Sequence, residues 1–265
     1  MPSVEPIPLP PELSRFFVPD EAQSRRLPVL WYLSGLTCTH ANVTEKGEYR
    51  RACAEFGLIF VAPDTSPRGV GVPDDEAYDF GKGAGFYVDA TEAPWRANFQ
   101  MRSYIENELP ALVQENFPVD LSRQGITGHS MGGHGALTVA LRNPARFKSV
   151  SAFSPIVSPT ACAWGQKALS GYLGTDRMAW NDYDACCLIE AAGRLPDLLI
   201  DQGDADNFLA DQLKTSQLAE TCERAGQRAT IRMQPGYDHS YNFVSTFLAE
   251  HVAWHAGRLN GGHGS

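Results

Sequence analysis

Gly128-His129-Ser130-Met131-Gly132 is where the residue types and spacing of this chain converge on chemistry. A serine hydroxyl is a weak nucleophile at neutral pH and needs both a tight backbone presentation and a base within reach. Glycines two positions to either side suit such a turn, because a side chain there would collide with the crossing backbone. The N–H of Met131 falls at the start of the following helix. The first amides of a helix have no intrahelical acceptor, so it can donate to a developing oxyanion. Upstream, residues 122–127 end in the pair Ile126-Thr127, which reads as the end of a short buried strand. Downstream, residues 136–141 read as a helix, closed by Asn143-Pro144. Strand, turn and helix stand in the order that the G-x-S-x-G motif requires.

The base and its orienting acid must come from distant segments. In α/β-hydrolases they follow the serine in the order acid, then histidine. Here an acidic loop, Asp201-Gln202-Gly203-Asp204-Ala205-Asp206, follows the apolar run Leu198-Leu199-Ile200, and His239 lies in the turn after residues 229–233. His239 would take the serine proton and later protonate the leaving group, while the acid fixes its tautomer. Of Asp201, Asp204 and Asp206, the last is selected because it immediately precedes a helix; its structural alternative is an N-cap. Asp238 adjoins His239, and neighbouring side chains rarely face each other. The nucleophile helix carries His129 and His134 away from the hydroxyl. His251 and His255 have i,i+4 spacing but lack the glutamate of H-E-x-x-H, so no metal site is expected. A second oxyanion donor is expected from the loop after the first long apolar run, at the Leu36 N–H. Cys38, two residues on, reads either as a redox-sensitive thiol beside the acyl pocket or as a small buried hydrophobe.

Positioning these groups requires strands that end at one edge. Leu27–Leu33 is an apolar run suited to a strand buried on both faces, and residues 58–62 form another. Residues 44–56, 100–117, 207–225 and 241–259 read as helices, the second kinked at Pro110. Residues 63–94 form a long loop whose aromatics Tyr78, Phe80, Phe86 and Tyr87, with Trp95 just beyond it, either line a pocket or pin the loop down. Residues 156–195 read as an irregular cap over the site. Alternation of strands and helices predicts an α/β fold with a mostly parallel central sheet and helices on both faces. One domain spans 1–265, with residues 1–25 weakly structured apart from a strand remnant at Phe16-Phe17-Val18, and residues 260–265 a disordered tail.

The net charge of −9 argues against nucleic acid or an anionic membrane surface as partner. The six cysteines include no C-x-x-C pair, which suggests free thiols in a reducing compartment. No run reaches transmembrane length, and Met1-Pro2-Ser3-Val4-Glu5-Pro6 lacks a secretory signal's basic and apolar regions. A cytoplasmic location is expected.

Longer segments add a resemblance. Tyr32-Leu33-Ser34-Gly35-Leu36-Thr37-Cys38-Thr39, Ala62-Pro63-Asp64-Thr65-Ser66-Pro67-Arg68-Gly69, Gly83-Ala84-Gly85-Phe86-Tyr87-Val88-Asp89-Ala90-Thr91, the stretch from Gly128 to Leu137, and Gly236-Tyr237-Asp238-His239-Ser240-Tyr241 are similar to the esterase D family of S-formylglutathione hydrolases. The resemblance covers about residues 28–258. It implies the α/β-hydrolase fold and hydrolysis of the thioester S-formylglutathione to glutathione and formate, the last step of glutathione-dependent formaldehyde detoxification. It also implies side activity on small carboxylic esters, no cofactor, and a homodimer. Carried onto this chain, it places the nucleophile at Ser130, the acid at Asp206, the base at His239, and oxyanion N–H groups at Leu36 and Met131. A general short-chain carboxylesterase or acyltransferase would use the same residues. The formyl group suggests a tight acyl pocket walled by Trp95 and Trp180. Lys167, Lys82 and Arg68 are loop cations that either meet a glutathione carboxylate or, the favoured reading, are solvated surface charges. At the front only Phe16-Phe17-Val18-Pro19 is similar, so a shortened or rebuilt sheet edge is expected.

Overall fold

The computed structural model describes residues 14–192 and 196–261. The expectations for residues 1–13 and 262–265 lie outside the described residues. One seven-stranded sheet runs through the structure, with strand order β1-β3-β2-β4-β5-β6-β7. Its strands are β1 (Ser14–Phe17), β2 (Leu27–Leu33), β3 (Ile59–Pro63), β4 (Val119–Gly128), β5 (Phe147–Phe153), β6 (Leu198–Gly203) and β7 (Ala229–Gln234). All adjacent pairs are parallel except β1 with β3, where Phe16 faces Val61 across an antiparallel edge. The strand remnant read at residues 16–18 is thus a short edge strand.

The sheet is buried because side chains alternate across it. Val29, Trp31 and Leu33 of β2 enter one apolar cluster, with Leu137 and Val139 of the nucleophile helix Met131–Arg142. Leu30 and Tyr32 enter the other, with Val244, Leu248 and Val252 of the closing helix Tyr241–Asn260. A strand apolar at every position is the sequence trace of this two-sided cover.

Helices depart from expectation where the backbone changes sense. The helix expected over 44–56 is two, His40–Lys46 and Arg50–Phe56, parted where Glu48 has φ of 55°. Instead of a simple kink at Pro110, a π-helical stretch Tyr104–Glu108 leads into Leu109–Asn116. Proline has no N–H and crowds the carbonyl four residues back, and a widened turn accommodates both effects. The helix expected from 207 begins only at Thr215, after a π-turn Leu209–Leu213 and Lys214 at φ of 56°. The cap stretch is largely helical, with Ala163–Leu173, Arg177–Trp180 and Ala185–Ala192. Residues 64–94 contain no helix or strand, only turns and an isolated bridge from Asp89 to Gln100.

Candidate active site

Ser130 sits between the end of β4 and the nucleophile helix, at φ of 60° and ψ of −119°. A non-glycine residue in that conformation is strained and persists only where the surroundings hold it. Its N–H donates to Phe153 O at 2.9 Å, and its carbonyl accepts from His134 at 3.0 Å and Ile156 at 3.3 Å. The glycines around it are steric necessities: a Cβ on Gly132 would lie 2.0 Å from Leu33 O, and one on Gly128 would lie 2.3 Å from Gly132 O. A Cβ on Gly35 would lie 3.0 Å from Ser130 Cβ, so the loop after β2 runs against the serine.

β6 and β7 deliver the acid and the histidine. His239 Nδ1 lies 2.6 Å from Asp206 Oδ2, and the carboxylate is fully buried. Asp206 Oδ1 accepts the Phe208 N–H at 2.9 Å, so the residue caps its turn and holds the imidazole at the same time. Burial opposes the charge on Asp206, but the hydrogen bonds from His239, Phe208 and Gln202 outweigh it and hold the carboxyl below its ordinary range. The other aspartates are occupied elsewhere. Asp201 faces the closing helix, paired with Arg232 through two 2.6 Å contacts and with His251 Nε2 at 3.2 Å. Asp204 accepts the Gly236 N–H, and Asp238 the Ser240 N–H.

Ser130, His239, Leu36 and Cys38 line one cavity of about 250 Å³. Met131 is the first residue of its helix, so its N–H has no acceptor within the helix. Cys38 is only partly exposed, and burial raises its thiol, which keeps it protonated at neutral pH. His129 also lines the cavity, with its ring 4.5 Å from that of His239. Burial, and then the neighbouring His239, push its pKa well down, so it is neutral. The nucleophile helix does carry His134 away, to the Phe86 carbonyl at 3.0 Å.

The cavity wall differs from the expected one. Trp95 packs with Phe80, Phe99 and Tyr172 in the core, and Trp180 donates to the Gly174 carbonyl at 3.0 Å. The aromatics that line the cavity are Tyr78, Trp164, Phe208 and Tyr241. Trp164 Nε1 donates to the Tyr78 hydroxyl at 2.9 Å, which ties the long loop to the cap. Of the loop aromatics, Tyr78 lines the pocket while Phe80, Phe86 and Tyr87 are buried and pin the loop. The three cations are each ion-paired: Arg68 with Asp64 at 2.9 Å, Lys82 with Asp74 at 3.5 Å, and Lys167, which lies on the helix Ala163–Leu173 and not in a loop, with Asp79. His251 and His255 spend their ring nitrogens on Ser151, Asp201 and Ser149 inside the fold. Trp164 belongs to the stretch expected to cap the site, and it does line the cavity. Gln202 and Phe208 are additions from the structure: a polar residue at the end of an apolar strand is the sequence signal for the first, and the second has none.

Residues 13–256 match the Esterase family model. The S-formylglutathione hydrolase of Paracoccus denitrificans is 54% identical over 92% of this chain and 87% of its own length. That of Mus musculus is 52% identical over 92% of this chain and 88% of its own. The chain belongs to the S-formylglutathione hydrolase family. Within the family, the solved structure of an S-formylglutathione hydrolase from Agrobacterium tumefaciens superposes with a TM-score of 0.92 at 56% identity, over 93% of this chain and 89% of that one. The family's α/β-hydrolase architecture is therefore this chain's architecture, and its sheet is the one described above.

Proposed function

We propose that this chain hydrolyses the thioester S-formylglutathione to glutathione and formate, with side activity on small carboxylic esters. Identity above 50% with relatives of that name across 92% of the chain is the observation that carries the substrate. Ser130 and His239 line one small cavity with the Asp206 carboxylate buried behind His239, and this arrangement supports the mechanism.

The reaction runs in two halves. The Asp206 carboxylate accepts the Nδ1–H of His239, which leaves Nε2 as the lone-pair nitrogen. Nε2 removes the Ser130 proton as Oγ attacks the formyl carbon. The carbonyl oxygen becomes an oxyanion, stabilised by the Met131 and Leu36 N–H groups. Collapse breaks the carbon–sulfur bond. The thiolate is a good leaving group, so the bond breaks readily; the imidazolium proton passes to the sulfur, glutathione leaves, and His239 returns to its neutral form. Water then enters, His239 removes its proton, and attack on the formyl-serine ester releases formate and regenerates the hydroxyl.

The cavity volume limits what enters. About 250 Å³ is smaller than a typical drug-sized pocket and suits an acyl group with its thioester link. The glutathione peptide must therefore lie along the mouth, against Tyr78, Trp164 and Phe208. We further propose a homodimer acting in the cytoplasm. Among the described residues no helix is long and apolar enough to cross a membrane.

Steady-state hydrolysis of S-formylglutathione beside p-nitrophenyl acetate tests the assignment, with S-acetyl and S-butyryl glutathione as size controls. The expected result is a kcat/KM for the formyl thioester that exceeds the simple ester by orders of magnitude and falls with acyl length. Equal or better hydrolysis of p-nitrophenyl acetate overturns the substrate and leaves a general short-chain esterase. Sedimentation at the monomer mass overturns the dimer.

A further inference from the structure

Behind the Asp206–His239 pair lies a second buried polar link. Gln202, on β6, is fully buried, and its Nε2 donates to Asp206 Oδ2 at 3.2 Å and to its neighbour's carbonyl, Gly203 O, at 3.0 Å. Its Oε1 accepts the Thr215 hydroxyl at 2.8 Å. Thr215, also buried, opens the helix Thr215–Ala225. The amide can sit only one way round. A carboxylate and a carbonyl can only accept, so both need the NH2 group, and the amide oxygen is left for the hydroxyl.

We propose that Gln202, locked by Thr215, is the positioning residue for the acid of the Asp206–His239 pair. The inference rests on that pair being the acid and base of the reaction proposed above. Asp206 Oδ2 takes two donors, His239 Nδ1 and Gln202 Nε2, while Oδ1 takes the Phe208 N–H. Three donors from three chain segments fix the carboxylate in its plane, so the imidazole it orients is fixed as well. Without Gln202 the carboxylate keeps one turn contact and one partner that must itself change charge during catalysis.

The other charged groups nearby leave this arrangement undisturbed. Asp204 and Asp238 turn to the backbone N–H groups of Gly236 and Ser240. His129, beside His239, is buried and neutral. Arg232 and His251 lie on the opposite face of β6 with Asp201, because adjacent strand residues point to opposite sides.

The test uses the full-length enzyme, with p-nitrophenyl acetate and S-formylglutathione assayed in parallel. Gln202→Met keeps the volume and removes the donor. We expect kcat to fall about tenfold or more with KM unchanged, as for loss of a hydrogen bond to a charged group. Gln202→Glu places a second carboxylate beside Asp206, and the added negative charge favours the protonated imidazole of His239. Its acid limb in kcat/KM should move up by about one pH unit, a shift that a purely structural residue would not produce. Thr215→Val should lower kcat because the amide loses its lock, and Thr215→Ser should restore it. Wild-type kcat and an unmoved acid limb in folded Gln202→Met and Gln202→Glu overturn the proposal, as does equal loss in both Thr215 variants. If Gln202→Met does not fold, the Thr215 pair and Gln202→Glu decide. Loss on p-nitrophenyl acetate is sufficient to support this inference; a wild-type enzyme inert to S-formylglutathione removes only the substrate assignment.

Discussion

Asp206 uses its two oxygens for different contacts, so the helix cap and the proposed catalytic acid are compatible in one residue. Oδ1 closes the local turn on the Phe208 N–H while Oδ2 meets His239 Nδ1. The two readings of this residue are therefore not rivals: the cap supplies the rigidity that the pairing needs. Asp206→Asn keeps the shape but offers an amide that can turn its NH2 toward Nδ1 and favour the wrong tautomer. A fall in kcat of about 10⁴-fold is expected, measured with p-nitrophenyl acetate at saturating concentration. A fall of less than tenfold would mean that the acid of this site is some other residue.

Alternation along β6 sends a structural charge to one side of the sheet and a polar amide to the other. Asp201 points to the closing helix and Gln202 to the active-site side, although they are neighbours in sequence. Asp201 is fully buried and depends on Arg232 for its counter-charge. Removing one partner of a buried pair strands the other, so Arg232→Met should cost about 3 kcal/mol of unfolding free energy in urea titrations. The kcat of the folded fraction should be unchanged, since the damage lies behind the sheet. The nucleophile turn has the opposite character, because its tolerance is set by backbone atoms that cannot move aside. A Cβ on Gly132 would lie 2.0 Å from Leu33 O. Gly132→Ala should lose both soluble expression and activity. A soluble variant with a wild-type melting temperature would show that the crossing of β2 and the nucleophile helix is looser than described.

Buried titratable groups set the pH range over which the whole molecule is stable. His129, His134, His251 and His255 are all fully or almost fully buried, and burial lowers each, with His134 down at about 4. Their folded-state values lie below the unfolded value of about 6.5. The unfolded chain therefore binds more protons as pH falls through that range, and stability is lost. His134 alone accounts for about 3 kcal/mol between pH 6.5 and 4. Asp201 and Asp206, with folded values below the usual carboxylate range, add to acid lability when they protonate. At the alkaline end the buried thiols act in the other sense. Cys186 is raised to about 12 and Cys222 to about 11, both by burial first. Their stabilisation is complete below the unfolded value of about 8.5 and is lost as pH rises beyond it. Thermal melts across pH should peak between about 6.5 and 8.5. A maximum near pH 5 would contradict the neutral, buried state of the histidines.

Much of this was legible without coordinates. The serine motif carries its own steric logic in Gly128 and Gly132, and the apolar runs of β2, β3 and β6 announce strands covered on both faces. Chain order then nominated Asp206 and His239. Both depend on local covalent geometry and on burial pattern, which are written residue by residue. What the sequence could not determine is which distant side chains share a space. Trp95 and Trp180 resemble pocket walls as readily as Trp164 does, and only packing put the first two in the core and the third on the cavity. No sequence pattern pairs Arg68, Lys82 and Lys167 with Asp64, Asp74 and Asp79; the fold does. The helix breaks at Glu48 and Lys214 arise from positive φ values set by the surrounding chain. Gln202 acquires its role only because β6 ends where two loops and a helix meet. Contacts between segments far apart in sequence are decided by the shape of the packed whole, and no local pattern encodes them.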